Sequence, residues 1–129
     1  MRKRSGAIIE LDGKIALIKR VRNNHEYYVI PGGGIEEGET PEDAAIREVK
    51  EELGIDIEIE KLLTTLTFNN KLQYYFRANY IKGEFGTGDG EEFLQTNIDR
   101  GTYTPILVEK DNLRLYDIRP LEILDIIYD

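Results

Sequence analysis

The chain has no cysteine, no tryptophan, one histidine, one methionine and four prolines among 129 residues. Without cysteine there are no disulfides and no thiolate metal sites. His25 alone cannot build a histidine-rich zinc site. Long apolar runs are missing too. The runs present are short, such as Ala7-Ile8-Ile9 and Ile126-Ile127, far short of the ~20 residues a membrane helix needs. The basic start, Met1 to Gly6, is followed by no apolar secretory core. These absences make a cytoplasmic location and no membrane partner the expectation. The formal net charge of −8 also argues against a nucleic-acid polymer as ligand, since such binders carry a basic face.

The composition that remains is 40% hydrophobic and 33% charged, which suits a globular domain. The length suits one domain spanning 1–129. Repeats and low-complexity tracts are absent. Arg2, Lys3, Arg4, Lys19, Arg20 and Arg22 cluster before residue 23. They read either as a solvated strand face or as a group from which one or two touch an anionic ligand.

Residues 5–11 and 14–21 read as strands joined by the tight-turn pair Asp12-Gly13. Asn23-Asn24 marks a second turn, and Tyr27–Ile30 a short strand stopped by Pro31. Gly32-Gly33-Gly34 reads as a loop. A helix follows over 41–53. Thr40 suits the N-cap, Pro41 the first helical position and Gly54 a left-handed cap. Ala45, Val49 and Leu53 form one apolar stripe, widened by Ile46. Residues 55–68 and 71–82 read as strands, 83–92 as an acidic glycine-rich loop, and 105–108 as a short strand. Two short helices are expected at 111–115 and 120–127. Strands with helices between and after them indicate a mixed α+β domain, and short connections imply many antiparallel pairs.

Chemistry concentrates on the helix. Glu48, Glu51 and Glu52 stand at i, i+3 and i+4, one patch expected on the helix's outward face. Like charges at that spacing destabilise an isolated helix by a few tenths of a kcal/mol per pair, so a cation placed there would relieve them. Hard divalent cations take such oxygen ligands. Glu39 adds a fourth acid, and Arg47 stands four residues before Glu51, in reach of a two-bond pair. The competing reading is a plain solvated charge face. Against it stands the triple glycine, which lets backbone approach a metal or phosphate closely.

The segment Gly33-x5-Glu39-x7-Arg47-Glu48-Val49-x-Glu51-Glu52-x-Gly54-Ile55 resembles the Nudix box, with every fixed position filled. Ordinary composition would produce that match at a given frame with a chance on the order of 10⁻⁸. The flanks, Tyr28, Pro31-Gly32-Gly33 and Gly38-Glu39-Thr40-Pro41, are similar to the family as well.

The resemblance implies an α/β/α sandwich with a mixed sheet and a loop–helix–loop catalytic segment. It implies hydrolysis of a nucleoside diphosphate linked to another group, with water as nucleophile. By matching position it implies Glu48, Glu51 and Glu52 as ligands of Mg²⁺ or Mn²⁺. The carbonyl of Gly32 or Gly33 would complete the shell, and Glu39 and Arg47 would be structural. The general base would be Glu51, Glu52, or an acid of the later loop, Glu91 or Glu92. A non-catalytic sensor of a nucleotide or ADP-ribose on the same fold is the alternative, and the intact glutamates stand against it. The isomerase branch of the family needs a cysteine this chain lacks. Many relatives dimerise, so a homodimer is one assembly open to this chain.

Substrate marks are sparse. Asn69-Asn70-Lys71 occupies the neighbourhood where a proline would suggest ADP-ribose. Tyr74 and Tyr75 miss the spacing that would suggest dinucleoside polyphosphates, and the NADH-type signature is missing after Ile55. Small size resembles members acting on nucleoside triphosphates, oxidised ones included. Tyr27, Tyr28, Phe68, Tyr75 and Phe85 are candidates to stack on a base, and Arg22 and His25 to line the pocket.

Overall fold

A computed structural model describes residues 2–88 and 101–128. Glu91 and Glu92 lie outside the described residues. Strands β1 (Arg2–Leu11) and β2 (Lys14–Arg22) form a hairpin. Its turn residues, Asp12 and Gly13, have φ of 51° and 77°, the left-handed pair that a two-residue turn on twisted strands requires. Asn23 and Asn24 repeat that geometry, at 53° and 61°, before β3 (His25–Val29). Asparagine tolerates this backbone better than most residues.

The three glycines are not a loop. Gly32–Gly34 is a short strand, β4, antiparallel to the start of β1, with Gly32 opposite Gly6 and Gly34 opposite Arg4. A Cβ on Gly32 would overlap the Ser5 carbonyl oxygen. The two backbones therefore pair at a distance only glycine permits.

Helix α1 (Pro41–Leu53) has the bounds its sequence signals define. The Thr40 hydroxyl accepts from the Asp43 N–H at 3.1 Å, and Gly54 caps the C-terminus at φ 79°. Thr40→Ala is expected to lower stability by about 1 kcal/mol, read from urea denaturation. A change under about 0.2 kcal/mol would show that the cap is silent.

β5 (Ile55–Phe68) and β6 (Lys71–Gly83) form a long antiparallel hairpin. β7 (Thr102–Glu109) pairs with β2, starting earlier than its apolar residues alone suggest. A 3₁₀ turn (Lys110–Leu115) and a two-residue strand β8 (Ile118–Arg119) follow. The last helix, α2, runs Ile123–Tyr128, starting three residues later than Pro120. β8 has no apolar run of its own to announce it; it exists through parallel pairing with Tyr28 and Val29 of β3.

The strand order is β5-β6-β1-β2-β3-β8, with β4 added on β1 and β7 on β2. Most pairs are antiparallel; β1–β6 and β3–β8 are parallel. The apolar runs 7–9 and 15–18 are buried on both faces. Ala7, Ile9, Ala16 and Ile18 pack on Val49 and Leu53 of α1. Ile8, Ile15 and Leu17 pack on Leu113, Ile123 and Ile127 on the other side. Alternation along a strand makes this division, and it yields the helix–sheet–helix sandwich. Among the described residues no helix is long and apolar enough to cross a membrane.

Candidate active site

α1 presents Glu48 and Glu52 inward, against β4, and not to solvent. Glu48 and Glu52 are 7% and 4% exposed, so a solvated acidic face is excluded for both. The apolar stripe and the acidic stripe of α1 are adjacent, and β1 with β4 covers both. A buried carboxylate is costly unless it is held by donors or a cation. Glu52 Oε1 accepts from the Gly32 N–H at 2.7 Å. Glu48 Oε1 accepts from Arg47 Nη1 at 2.9 Å. Glu51 is half-exposed and only loosely held, with both oxygens 3.4 Å from Arg47 Nη1.

Arg47 organises this corner. Its two-bond pair is made with Glu39, at 2.8 and 3.0 Å, rather than with Glu51. Nη2 also donates to the Gly34 carbonyl at 3.0 Å. One guanidinium thus ties the loop before α1, the helix and β4 together. The Arg47 guanidinium, with the Glu36 N–H behind it, holds the Glu39 carboxyl down from 4.5 to about 2. Glu39 in turn holds the Arg47 proton more firmly than usual. Ser5, buried within β1, adds a bond from its hydroxyl to the Pro41 carbonyl at 2.6 Å, fixing the helix N-terminus on the sheet.

The glycines of β4 set how close the acids come. A Cβ on Gly33 would stand 2.5 and 2.6 Å from the Glu48 carboxylate oxygens. Gly33→Ala is therefore expected to displace Glu48, costing about 1–3 kcal/mol from overpacking and reducing turnover more than tenfold. Thermal unfolding and steady-state rates measured together check it; wild-type values in both would show that the cradle is not needed.

Whether these residues fit a divalent cation follows from the donor set. Three carboxylates and the nearby glycine carbonyls are hard oxygen donors, the type Mg²⁺ and Mn²⁺ take. The glycine cradle brings β4 backbone against Glu48. As placed, Glu48 and Glu51 turn to Arg47 Nη1 and Glu52 to the Gly32 N–H, and among the described residues no three acids converge at metal-holding distance. Glu51, half-exposed and on two long contacts, is the one free to swing inward. The residues fit the ion, with that side-chain turn required.

Beside Glu52 and Gly32 opens a cavity of about 520 Å³. Strands β1, β4 and β6 line one side, and β2, β3, β7 and β8 the other. Among the described residues, four cations line it, Arg4, Arg20, Lys71 and Arg119, against one carboxylate, Glu52. In a chain of net charge −8 this is a local inversion of sign, suited to a polyanion. Tyr103, Arg20, Tyr27 and Arg119 alternate as a stack. Arg20 lies 3.8 Å from the Tyr103 ring centre and 5.7 Å from Tyr27, and Arg119 lies 4.4 Å from Tyr27. Asp117 anchors Arg119 with bonds of 3.2 and 2.9 Å.

Of the basic group before residue 23, Arg4 and Arg20 line the cavity. Of the aromatic candidates, Tyr27, Phe68 and Tyr75 line it. Tyr28 is a core residue set edge-on to Tyr116, and Phe85 packs against the core beneath α1. Arg22 and His25 are not among the lining residues. Lys71, Gln73, Tyr103 and Arg119 have no local signal in the sequence. They reach the cavity through pairings of strands far apart in the chain. The loop after β6 packs its first residues on the end of α1. The Gly86 N–H donates to the Leu53 carbonyl at 2.8 Å, and a Cβ on Gly88 would overlap the Glu51 carbonyl oxygen.

The model of the NUDIX domain matches residues 1–111. The chain belongs to the Nudix family. It is 34% identical over 118 residues to an ADP-ribose pyrophosphatase of Methanocaldococcus jannaschii, covering 83% of this chain and 70% of that protein. It is also 34% identical over 101 residues to the NAD-capped RNA hydrolase NudC of Salmonella heidelberg, where the match takes 77% of this chain but only 39% of the relative. Among solved structures, a Nudix hydrolase from Nitrosomonas europaea superposes with a TM-score of 0.77 at 22% identity, over 98% of this chain and 86% of the other. The Nudix fold expected from the box is the fold observed. This Nudix protein is a hydrolase of phosphoric anhydride bonds.

Proposed function

We propose that residues 1–129 act as one Nudix domain that hydrolyses a nucleoside diphosphate linked to another group, with Mg²⁺ or Mn²⁺ held by Glu48, Glu51 and Glu52. The carbonyl of Gly32 or Gly33 completes the set. One observation carries this reading: a buried carboxylate, Glu52, joined to the glycine strand, opens onto a cavity lined by four cations. Such a cavity matches a diphosphate, and its tyrosine–arginine stack matches a nucleobase face.

A bound divalent cation would neutralise the pyrophosphate, polarise its oxygens and lower the pKa of water. The protein's residues supply position and charge. Arg47 and Glu39 keep α1 at its distance from β4. Glu51 or Glu52 takes the proton as water attacks phosphorus and the anhydride P–O bond breaks. Glu91 and Glu92 remain alternative proton acceptors from the loop that begins on the end of α1. The cavity cations hold the phosphoryl oxygens of the substrate and of the leaving phosphate.

The test is a panel of nucleotides and nucleoside diphosphate derivatives, with and without Mg²⁺, and products identified by chromatography. Mg²⁺-dependent release of a nucleoside monophosphate from some member is the expected result. Tight binding of a nucleotide with no turnover of any member would replace this reading with a sensor.

A further inference from the structure

The charge in the cavity is uneven in its compensation. Arg119 has Asp117 beside it, and Lys19, on β2, has Glu26 at 3.0 Å. Lys71 has cations. β1 and β6 run parallel with Arg2 opposite Lys71 and Arg4 opposite Gln73. Alternate residues of a strand share a face, so Arg2, Arg4 and Lys71 stand on one side of the sheet. Burial, with Arg4 and Arg2 nearby, pulls the Lys71 ammonium below its usual value. Grouping three like charges opposes folding, and an anion among them reverses the sign. The group is also well placed. Arg4 Nη2 lies 3.5 Å from the Gly32 carbonyl, and the N–H of the same Gly32 binds Glu52.

We propose that Arg4 and Lys71 form an anion subsite that selects a terminal phosphate, so that the preferred substrate is a nucleoside polyphosphate with a free phosphoryl end. The proposal rests on the hydrolase reading of the neighbouring glutamates. A phosphate bridged on both sides carries one negative charge, whereas a terminal one carries about −1.5 to −2 near neutral pH. Two adjacent cations gain most from the second. Arginine offers a planar pair of N–H donors to phosphate, and lysine a compact point charge. A diphosphate esterified at both ends, such as ADP-ribose, presents no such group.

The experiment uses Lys71→Gln and Lys71→Arg in the full chain. The first readout is equilibrium binding of inorganic tripolyphosphate in EDTA. Without divalent cation the glutamates contribute no attraction, so this isolates the subsite. Lys71→Gln is expected to weaken binding about tenfold, and Lys71→Arg to restore most of it. The melting temperature of Lys71→Gln is expected to equal or exceed that of wild type, because a repelling charge is removed. The second readout is KM with Mg²⁺ for a nucleoside triphosphate and for ADP-ribose. A rise of about tenfold for the triphosphate, with less than a threefold change for ADP-ribose, is expected. Tripolyphosphate binding unchanged in Lys71→Gln, or equal losses for both substrates, overturns the proposal. Turnover of nothing by wild type, with tripolyphosphate binding still sensitive to Lys71, overturns the hydrolase reading and upholds the subsite.

Discussion

Glu52→Gln is expected to lower kcat on the best nucleotide substrate by about 10³-fold, the scale of losing a positioned proton acceptor or a metal-held carboxylate. The substitution separates chemistry from architecture. Glu52 Oε1 accepts the Gly32 N–H at 2.7 Å, and a glutamine carbonyl oxygen accepts the same bond. The link between α1 and β4 therefore survives while the charge is lost. Stability in EDTA should stay within about 1 kcal/mol of wild type, because the exchange keeps the acceptor of that hydrogen bond in place. With Mg²⁺ the two proteins should part. Ligand at about 100 times its Kd adds about 2.7 kcal/mol to the native state, or several degrees in melting temperature. Wild type should show that rise, and Glu52→Gln most of its loss. Equal turnover in the two proteins would remove Glu52 from the reaction.

The second large effect concerns Arg47, which carries no chemistry in this reading. Arg47→Ala should destabilise the fold by about 3–5 kcal/mol, the cost of stripping one partner from a largely buried ion pair. The guanidinium reaches Glu39 by two bonds, Glu48 by one and the Gly34 carbonyl by one, and all four would be lost. Arg47→Lys should fall between, since an ammonium keeps the charge and loses the planar fork. Urea denaturation at pH 7 reads both, and a loss under 1 kcal/mol for alanine would show that the network is ornamental. The pair also predicts an acid limb. Glu39 titrates at about 2 in the folded chain against an ordinary 4.5. A depressed folded-state value means that protonation favours the unfolded chain. The contribution is complete above about pH 4.5 and declines as pH falls toward 2. Glu39→Gln should flatten that part of the stability profile, measured as urea midpoint against pH.

These two residues also mark how far the sequence reaches. α1 was readable to the residue, because its signals are local. Thr40 binds a donor three positions away, and Gly54 needs only its own φ. The i, i+3, i+4 spacing places Glu48, Glu51 and Glu52 on one face by helix geometry alone. The direction of that face was not readable. The sequence shows three acids beside a glycine run; that β4 pairs with β1 and turns Glu48 and Glu52 into a buried corner depends on strands more than 25 positions apart.

The same divide separates reaction from ligand. The box, from Gly33 to Ile55, determined the family, and with it the fold and the class of bond cleaved, from a contiguous segment. The cavity is assembled from Arg4, Lys71, Tyr103 and Arg119, residues that no spacing rule connects. Arg2 and Lys71 became neighbours only because β1 and β6 pair in parallel, a contact whose two halves lie nearly 70 positions apart. Local rules act through a few covalent bonds, so a sequence states them openly. The charge around the substrate is set by which strands the buried apolar faces bring together, and tertiary structure alone decides that.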